Sequence, residues 1–274
     1  MPEIKFKREY ITGELKKIGS TLRQRVKVLL IGGCIMIFRD LKDVTKDVDM
    51  VLTSPNDLKA VVEALKSLEY SEIKELPREY QKLGASAVLR NPDGFQIDVF
   101  HRQVCEGLEI TERMEGRAHF LKTFGNLDVY LMSAEDVFIF KSITEREADL
   151  VDMRALAEVG VDWGVVKEEC MFQKKRSIWE AFLVDRLEEL KSRFGIEVPI
   201  TKELRKVAED EMIKRILMDI IKDGNDTVDK IAKVVKEKSR YSESWTRRQL
   251  NGLVKNNMIE RVGRCYKYFV APPK

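Results

Sequence analysis

Apolar and polar positions alternate along this chain in two rhythms, one of strands and one of helices. Val26 to Ile31 is an apolar run of strand length that stops at Gly32-Gly33, which predicts a buried strand and then a turn. A short helix is expected over Ile35 to Leu41, then a polar loop, then a strand through Val48 to Leu52. Ser54-Pro55-Asn56-Asp57 supplies a capping serine, a proline in the first turn and an acid at the third position, so a helix should open there and run through Leu58 to Leu68. Ala85 to Arg90 and Phe95 to Phe100 alternate as strands do, and Asn91-Pro92-Asp93-Gly94 between them marks a hairpin. The stretch before Leu22 reads as a charged surface helix.

A further strand is expected over Asp128 to Met132, followed by a second capping box at Ser133-Ala134-Glu135-Asp136. The helix it opens extends to about Val159, with room for a break. Helices fill most of Val161 to Phe194, and Gly195-Ile196-Glu197-Val198-Pro199 reads as a linker. Beyond it come three helical segments, Glu211 to Lys222, Val228 to Lys238 and Ser242 to Asn257, then two short strands, Ile259 to Val262 and Tyr266 to Phe269, around Gly263-Arg264. Three helices and a hairpin is the order of a winged helix-turn-helix. The fold expected is α/β (α+β): a small mixed sheet at 1–132 with helices on one face and the acidic residues on the other, a helical extension at 133–200 and a winged helix at 201–274. No internal repeat or low-complexity tract interrupts it.

Charge changes this picture more than composition does. Hydrophobic residues make up 44% of the 274, enough for genuine cores. The charged fraction, 35% and heavy in Lys and Glu, is a thermophile-like balance. The formal net charge is only +3. From Thr201 to Lys274, however, eighteen Lys/Arg stand against eleven Asp/Glu, a balance of +7 that leaves −4 for the rest. A basic tail on an acidic body suits a module that meets phosphate. Cys34, Cys105, Cys170 and Cys265 are scattered without a C-x-x-C pair, and only His101 and His119 could assist them. Free thiols in a reducing cytoplasm are therefore expected rather than zinc or disulfides. The opening MPEIKFKREY has no apolar signal core, and the longest apolar run, Val28 to Phe38, is short and broken by glycines, so no membrane span is expected.

The chemistry concentrates in Gly32-Gly33 and Thr45-Lys46-Asp47-Val48-Asp49-Met50, with residues 34–46 between the glycines and the first aspartate. Side chains alternate faces along a strand, so Asp47 and Asp49 project to one side while Val48, Met50 and Leu52 point into a core. Two adjacent carboxylates repel unless a cation lies between them, and oxygen-seeking Mg²⁺ suits that role. Gly-Gly lets backbone approach a phosphate just before a helix N-terminus. A third acid, Asp98, sits in Gln96-Ile97-Asp98-Val99-Phe100 with apolar neighbours facing inward. If that strand lies beside the first, three aspartates converge, and two metal ions there could activate a hydroxyl and neutralise a triphosphate. Singly, a D-x-D on a solvated strand or a Gly-Gly turn is an ordinary structural feature; the combination is what singles out this region.

Those motifs resemble the minimal nucleotidyltransferases of the DNA polymerase beta superfamily, in particular the AbiEii-like toxin branch and its archaeal relatives. The resemblance covers about Val26 to Val159 and rests on Gly32-Gly33, Thr45-Lys46-Asp47-Val48-Asp49 and Asp98. It implies that Asp47 and Asp49 hold both metals, and that Asp98 ligates one and serves as base. It also implies that Gly32, Gly33, Thr45, Lys46, Lys141 and Asp152 surround an NTP. Cys34 departs from the Gly-Ser of many relatives and should alter phosphate contacts slightly. The toxin branch similarly carries a Lys and then D-x-x-D, matched by Lys141 and by Asp149 to Asp152. Lys141 and Asp152 are eleven positions apart and share a helical face, though a solvated helix with a Lys141–Glu145 pair reads equally well from spacing alone.

In the tail, Arg247, Arg248 and Lys255 lie on the third helix and Arg261, Arg264 and Lys267 on the wing. They fit phosphate contacts, with Trp245 and Tyr266 as stacking candidates; a dimerisation module with core aromatics is the alternative. His101 reads as a packed or solvated histidine more readily than as a substrate contact. The function expected is NMP transfer from an NTP to an acceptor hydroxyl. RNA, tRNA above all, is the favoured acceptor, in a toxin-like activity that an antitoxin partner could restrain. Protein NMPylation, modification of a small hydroxylated molecule, and a nucleic-acid-binding regulator that keeps the domain only to bind nucleotide remain alternatives.

Overall fold

The computed structural model describes residues 5–76, 78–144, 146–173, 178–238 and 241–268. The chain divides into two compact units, Met1–Thr201 and Lys202–Lys274.

The first unit is built on a mixed sheet. In chain order come α1 (Arg8–Thr21), β1 (Val26–Ile31), α2 (Gly32–Phe38), β2 (Asp47–Leu52), α3 (Pro55–Ser67), the two-residue β3 (Ser71–Glu72) and α4 (Arg78–Leu83). The predicted hairpin follows as β4 (Ala87–Arg90) and β5 (Gln96–His101). A small separate ladder, β6 (Gln103–Val104) and β7 (Leu108–Glu109), leads through α5 (Glu112–Arg117) to β8 (His119–Phe124) and β9 (Leu127–Leu131). Four helices close the unit: α6 (Ala134–Ile143), α7 (Glu147–Val159), α8 (Trp163–Phe172) and α9 (Trp179–Phe194). The seven strands run β3-β4-β5-β2-β1-β9-β8. β2 is parallel to β5 and β1 to β9, and the other neighbours are antiparallel.

Local signals explain most of these elements. Ser54 Oγ accepts from Asp57 N at 3.4 Å and Ser133 Oγ from Asp136 N at 3.2 Å, so both predicted caps satisfy a free helix-start amide. α1 is less a surface helix than an amphipathic one: Ile11, Leu15 and Ile18 repeat at helical spacing and are fully buried. It packs closely on the β8–β9 hairpin because Gly19 has no side chain. A Cβ there would stand 1.6 Å from the Phe124 carbonyl oxygen.

Three expectations change. α2 begins at Gly32 rather than Ile35, so the two glycines form its first turn. The β8 edge strand is absent from the sequence reading: five of its six residues are exposed or only partly buried, which erases the alternation of a half-buried strand. Helices were expected on one face of the sheet and the acids on the other, yet Phe140 and Lys141 of α6 line the same cleft as Asp49. The register gives the reason. Leu29, Ile31, Val51 and Phe100 share the face of Asp49 and are buried, so that face also needs an apolar cover.

The second unit holds α10 (Thr201–Lys222), α11 (Val228–Lys238), α12 (Glu243–Lys255) and an antiparallel pair, β10 (Ile259–Val262) and β11 (Cys265–Tyr268). Its core gathers Leu217, Ile220, Ile231, Leu250, Ile259 and Tyr266 among others. α10 starts ten residues before the expected Glu211, since the charged run after Pro199 is rich in good helix formers. Phe269, expected at the end of the hairpin, lies outside the described residues. No helix among the described residues is long and apolar enough to cross a membrane.

Candidate active site

Parallel pairing of β2 and β5 places Asp49 directly opposite Asp98 and Asp47 opposite Gln96. All four therefore share one face. Asp98 is buried, while Asp47 and Asp49 remain partly accessible. Removing carboxylates from water favours their protonated form, and so does a neighbouring carboxylate. Burial, then Asp47 and Asp98, hold Asp49 well above the usual carboxylate range. Burial and then Asp47 push Asp98 to about 7, and burial also raises Asp47. Such a face is short of positive charge, and its donors are all oxygen, which fits a hard divalent cation. Among the described residues no three acidic, histidine or cysteine side chains close around one point.

The glycines serve this face directly. Gly32 has φ +67, and a Cβ on it would fall 1.8 Å from Asp49 Oδ2. The carboxylate thus fills the space that the missing side chain leaves. At Gly33 the nearest atom would be Thr45 Oγ1 at 3.1 Å. Thr45 is buried, exchanges backbone hydrogen bonds with Phe6 at 2.6 and 3.0 Å, and donates from Oγ1 to the Asp47 carbonyl at 3.2 Å. Its side chain is turned to the strand that carries Asp47, and the adjacent Lys46 is exposed. Cys34 is fully buried with its thiol donating to the Ile31 carbonyl at 3.0 Å, and burial pushes that thiol up. The Cys34 side chain therefore lies in the core and offers no hydroxyl where many relatives carry a serine.

Across the cleft stands a chain of ion pairs. Lys141 Nζ donates to Asp149 Oδ1 at 2.9 Å and to Asp152 Oδ2 at 2.6 Å. Lys42, from the loop before β2, donates to Asp152 Oδ1 at 2.9 Å. Arg146 Nε donates to Asp149 Oδ2 at 2.7 Å, and Thr144 Oγ1 donates to the same oxygen. Burial works against the charge on Lys141, but Asp149 and Asp152 outweigh it and keep the ammonium charged. Burial would likewise raise Asp149, yet Lys141 and Arg146 hold it down at about 2. Lys141 is 5% exposed, so it sits on no solvated face; Glu145, its alternative partner, lies outside the described residues.

Spacing alone misses Arg146 and Lys42. Arg146 occupies the corner between α6 and α7, paired to Asp149, where its charge also acts on Asp47, Asp49 and Asp98. The one signal for it is an arginine at a helix break three residues before Asp149. A cleft of about 40 Å³ lies among Gly32, Asp49, Lys141 and Arg146 and opens outward, room in its floor for an ion and a water or two. His101 faces away from Asp98, three positions along the strand, and its Nε2 is buried without a hydrogen-bond partner among the described residues.

In the second unit Arg247, Arg248, Lys255, Arg261, Arg264 and Lys267 are all exposed. Arg247 pairs with Glu243 at 2.8 Å, and Arg261 Nε donates to the Gly263 carbonyl at 3.2 Å. The two aromatic candidates part company. Tyr266 is buried in the core, where it fills the space among the helices, and Trp245 stacks on Tyr241 at 3.9 Å with rings 7° from parallel.

Known proteins give this geometry a family. Residues 9–195 match the family described as nucleotidyltransferase of unknown function (DUF6036). The crystal structure of a "putative nucleotidyltransferase" from Thermotoga maritima superposes with a TM-score of 0.35 at 15% identity, over 48% of this chain and 83% of that one. A comparison with curated proteins returns no significant match. Because the matched residues span well over half of its length and contain all three aspartates, the chain belongs to this nucleotidyltransferase family of unknown function.

Proposed function

We propose that the protein transfers a nucleoside monophosphate from an NTP to an acceptor hydroxyl, with Mg²⁺ as cofactor. The observation that carries this reading is the register that sets Asp49 against Asp98, with Asp47 on the same face and Arg146 nearby. Asp98, buried beside Asp49 on the shared face, is placed to accept the proton of the attacking hydroxyl. The acceptor oxygen then bonds to the α-phosphorus, the α–β bridging P–O bond breaks, and pyrophosphate leaves with the electron pair. Two magnesium ions held by Asp47, Asp49 and Asp98 would supply positive charge at the α-phosphate and the departing pyrophosphate. Arg146, 44% exposed beside that face, reaches the triphosphate oxygens more readily than the buried Lys141. Gly32, Gly33, Thr45 and Lys46 shape the approach to Asp47 and Asp49, and Lys141 with Asp152 fixes the α6–α7 corner.

RNA, with tRNA foremost, is the acceptor we favour. Its support is the +7 balance of residues 201–274 and six exposed cations on α12 and the β10–β11 hairpin, which we read as a winged helix. A toxin-like activity under the control of an antitoxin follows from the resemblance to the toxin branch. The test is incubation with each α-labelled NTP, Mg²⁺ and total RNA. Label on RNA supports the reading, label on protein moves it to NMPylation, and no label with any NTP removes it.

A further inference from the structure

A neutral amide side chain, Gln96, is buried within the acidic face. Gln96 shares the β5 face with Asp98, lies opposite Asp47 in the sheet register, and is 6% exposed. An amide carries an acceptor and two donors, and its orientation is settled only by its neighbours. Arg90, paired with Gln96 across the β4–β5 hairpin, settles it here. A guanidinium only donates, so Oε1 is the atom that accepts from Arg90 Nη2 at 2.7 Å. Nε2 must then be the atom that donates to Asp98 Oδ1 at 2.8 Å.

We propose that Arg90 and Gln96 form a positioning relay that locks the Asp98 carboxylate, occupying Oδ1 and reserving Oδ2 for the reaction. The inference rests on the role given to Asp98 under Proposed function. Its logic is steric and directional. Repelled by Asp47, an untethered Asp98 would rotate away from the shared face, and one oriented donor holds it there at the cost of one lone pair. Arg90 hydrogen-bonds Gln96 rather than Asp98; besides the pull of its charge on Asp98, it forbids the amide flip that would turn Oε1 against the carboxylate.

The test uses the full chain with Gln96→Leu, Arg90→Met, Arg90→Lys, the Gln96→Leu/Arg90→Met double variant and Asp98→Asn. Mn²⁺ binding is followed by electron paramagnetic resonance without NTP, beside kcat, the KM for NTP and the melting temperature. Gln96→Leu should weaken Mn²⁺ binding and lower kcat by roughly ten- to a hundredfold, with little change in KM. Arg90→Met, an exposed change that leaves the buried face intact, should act in the same direction more weakly. It should add much less once Gln96→Leu is already present, only the direct effect of its charge remaining, and Arg90→Lys, still a donor, should recover most of the loss. Wild-type Mn²⁺ affinity and kcat in Gln96→Leu would overturn the relay. So would an Arg90→Met effect that persists undiminished in the double variant, and should Gln96→Leu fail to fold, unchanged Mn²⁺ binding and kcat in Arg90→Met decides against it. Asp98→Asn separates the two readings: activity retained there removes the proposed role of Asp98, whereas activity lost there but kept in Gln96→Leu removes only the relay.

Discussion

Residue by residue, the acidic face trades stability for charge. Asp47, Asp49 and Asp98 all hold their protons more tightly in the folded chain than ordinary carboxylates, Asp98 up to about 7. The folded state therefore binds more protons than the unfolded one between about pH 4 and 7, and stability falls as pH rises through that window. Asp149, held at about 2, has the opposite sign, and its contribution is lost only as pH falls below about 4. Metal-free protein should accordingly melt lower at pH 7.5 than at pH 5. Asp98→Asn should flatten that slope and stabilise the neutral chain, by on the order of a few kcal/mol at most; equal slopes in both proteins would contradict this. Lys141 behaves differently. Truncating it to Ala leaves Asp149 to Arg146 and Thr144 and Asp152 to Lys42, and chemical denaturation should show a loss of roughly a few kcal/mol, short of the ~3–5 kcal/mol for a wholly unpaired buried charge. A loss of only a few tenths would return Lys141 to a solvated face. Arg146→Ala should cost less stability than Lys141→Ala, since Asp149 keeps Lys141, and should cut NTP binding or turnover about tenfold or more.

At the scale of elements, the turn from β1 into α2 exists to admit the β2 carboxylate. Gly32→Ala places a methyl against Asp49 in a left-handed backbone and should abolish transfer, while Gly33→Ala, meeting only a hydroxyl at 3.1 Å, should keep much of it. Measured rates that reverse this order would mean the glycines serve something other than Asp49. The same elements show what was legible in the sequence. β1, β2 and the β4–β5 hairpin were readable because their apolar positions and turn residues agree, and Ser54 and Ser133 announced α3 and α6. Asp47 and Asp49 were readable because a period of two fixes which side chains share a face. β8 was hidden because an exposed edge strand loses alternation, and α4 and α5, six residues each, are too short to show a period. Lys42 meets Asp152 across 110 positions and Arg90 meets Gln96 only through the hairpin register. Contacts of that kind are products of tertiary approach, which local pattern does not encode.

For the whole molecule, the division of charge follows the division into units, with +7 carried by residues 201–274. If Arg247, Arg248, Arg261 and Arg264 neutralise phosphates, affinity for RNA should fall steeply with salt, and each lost contact should lower the log–log slope by roughly 0.7 to 0.9. Removing everything after Pro199 should spare NTP binding and cripple use of a macromolecular acceptor. Binding that ignores salt, with a truncated chain that sediments as a monomer, would make the second unit a dimerisation module. The central claim lies in the first unit, and one measurement bears on it most directly: transfer of label from α-labelled NTP in Mg²⁺ by wild type and by Asp49→Asn, with the metal-free melting temperature of each. Wild type alone should transfer label, and Asp49→Asn should melt no lower than wild type, because a repelling carboxylate is gone. Transfer at the wild-type rate by Asp49→Asn would contradict the proposed site.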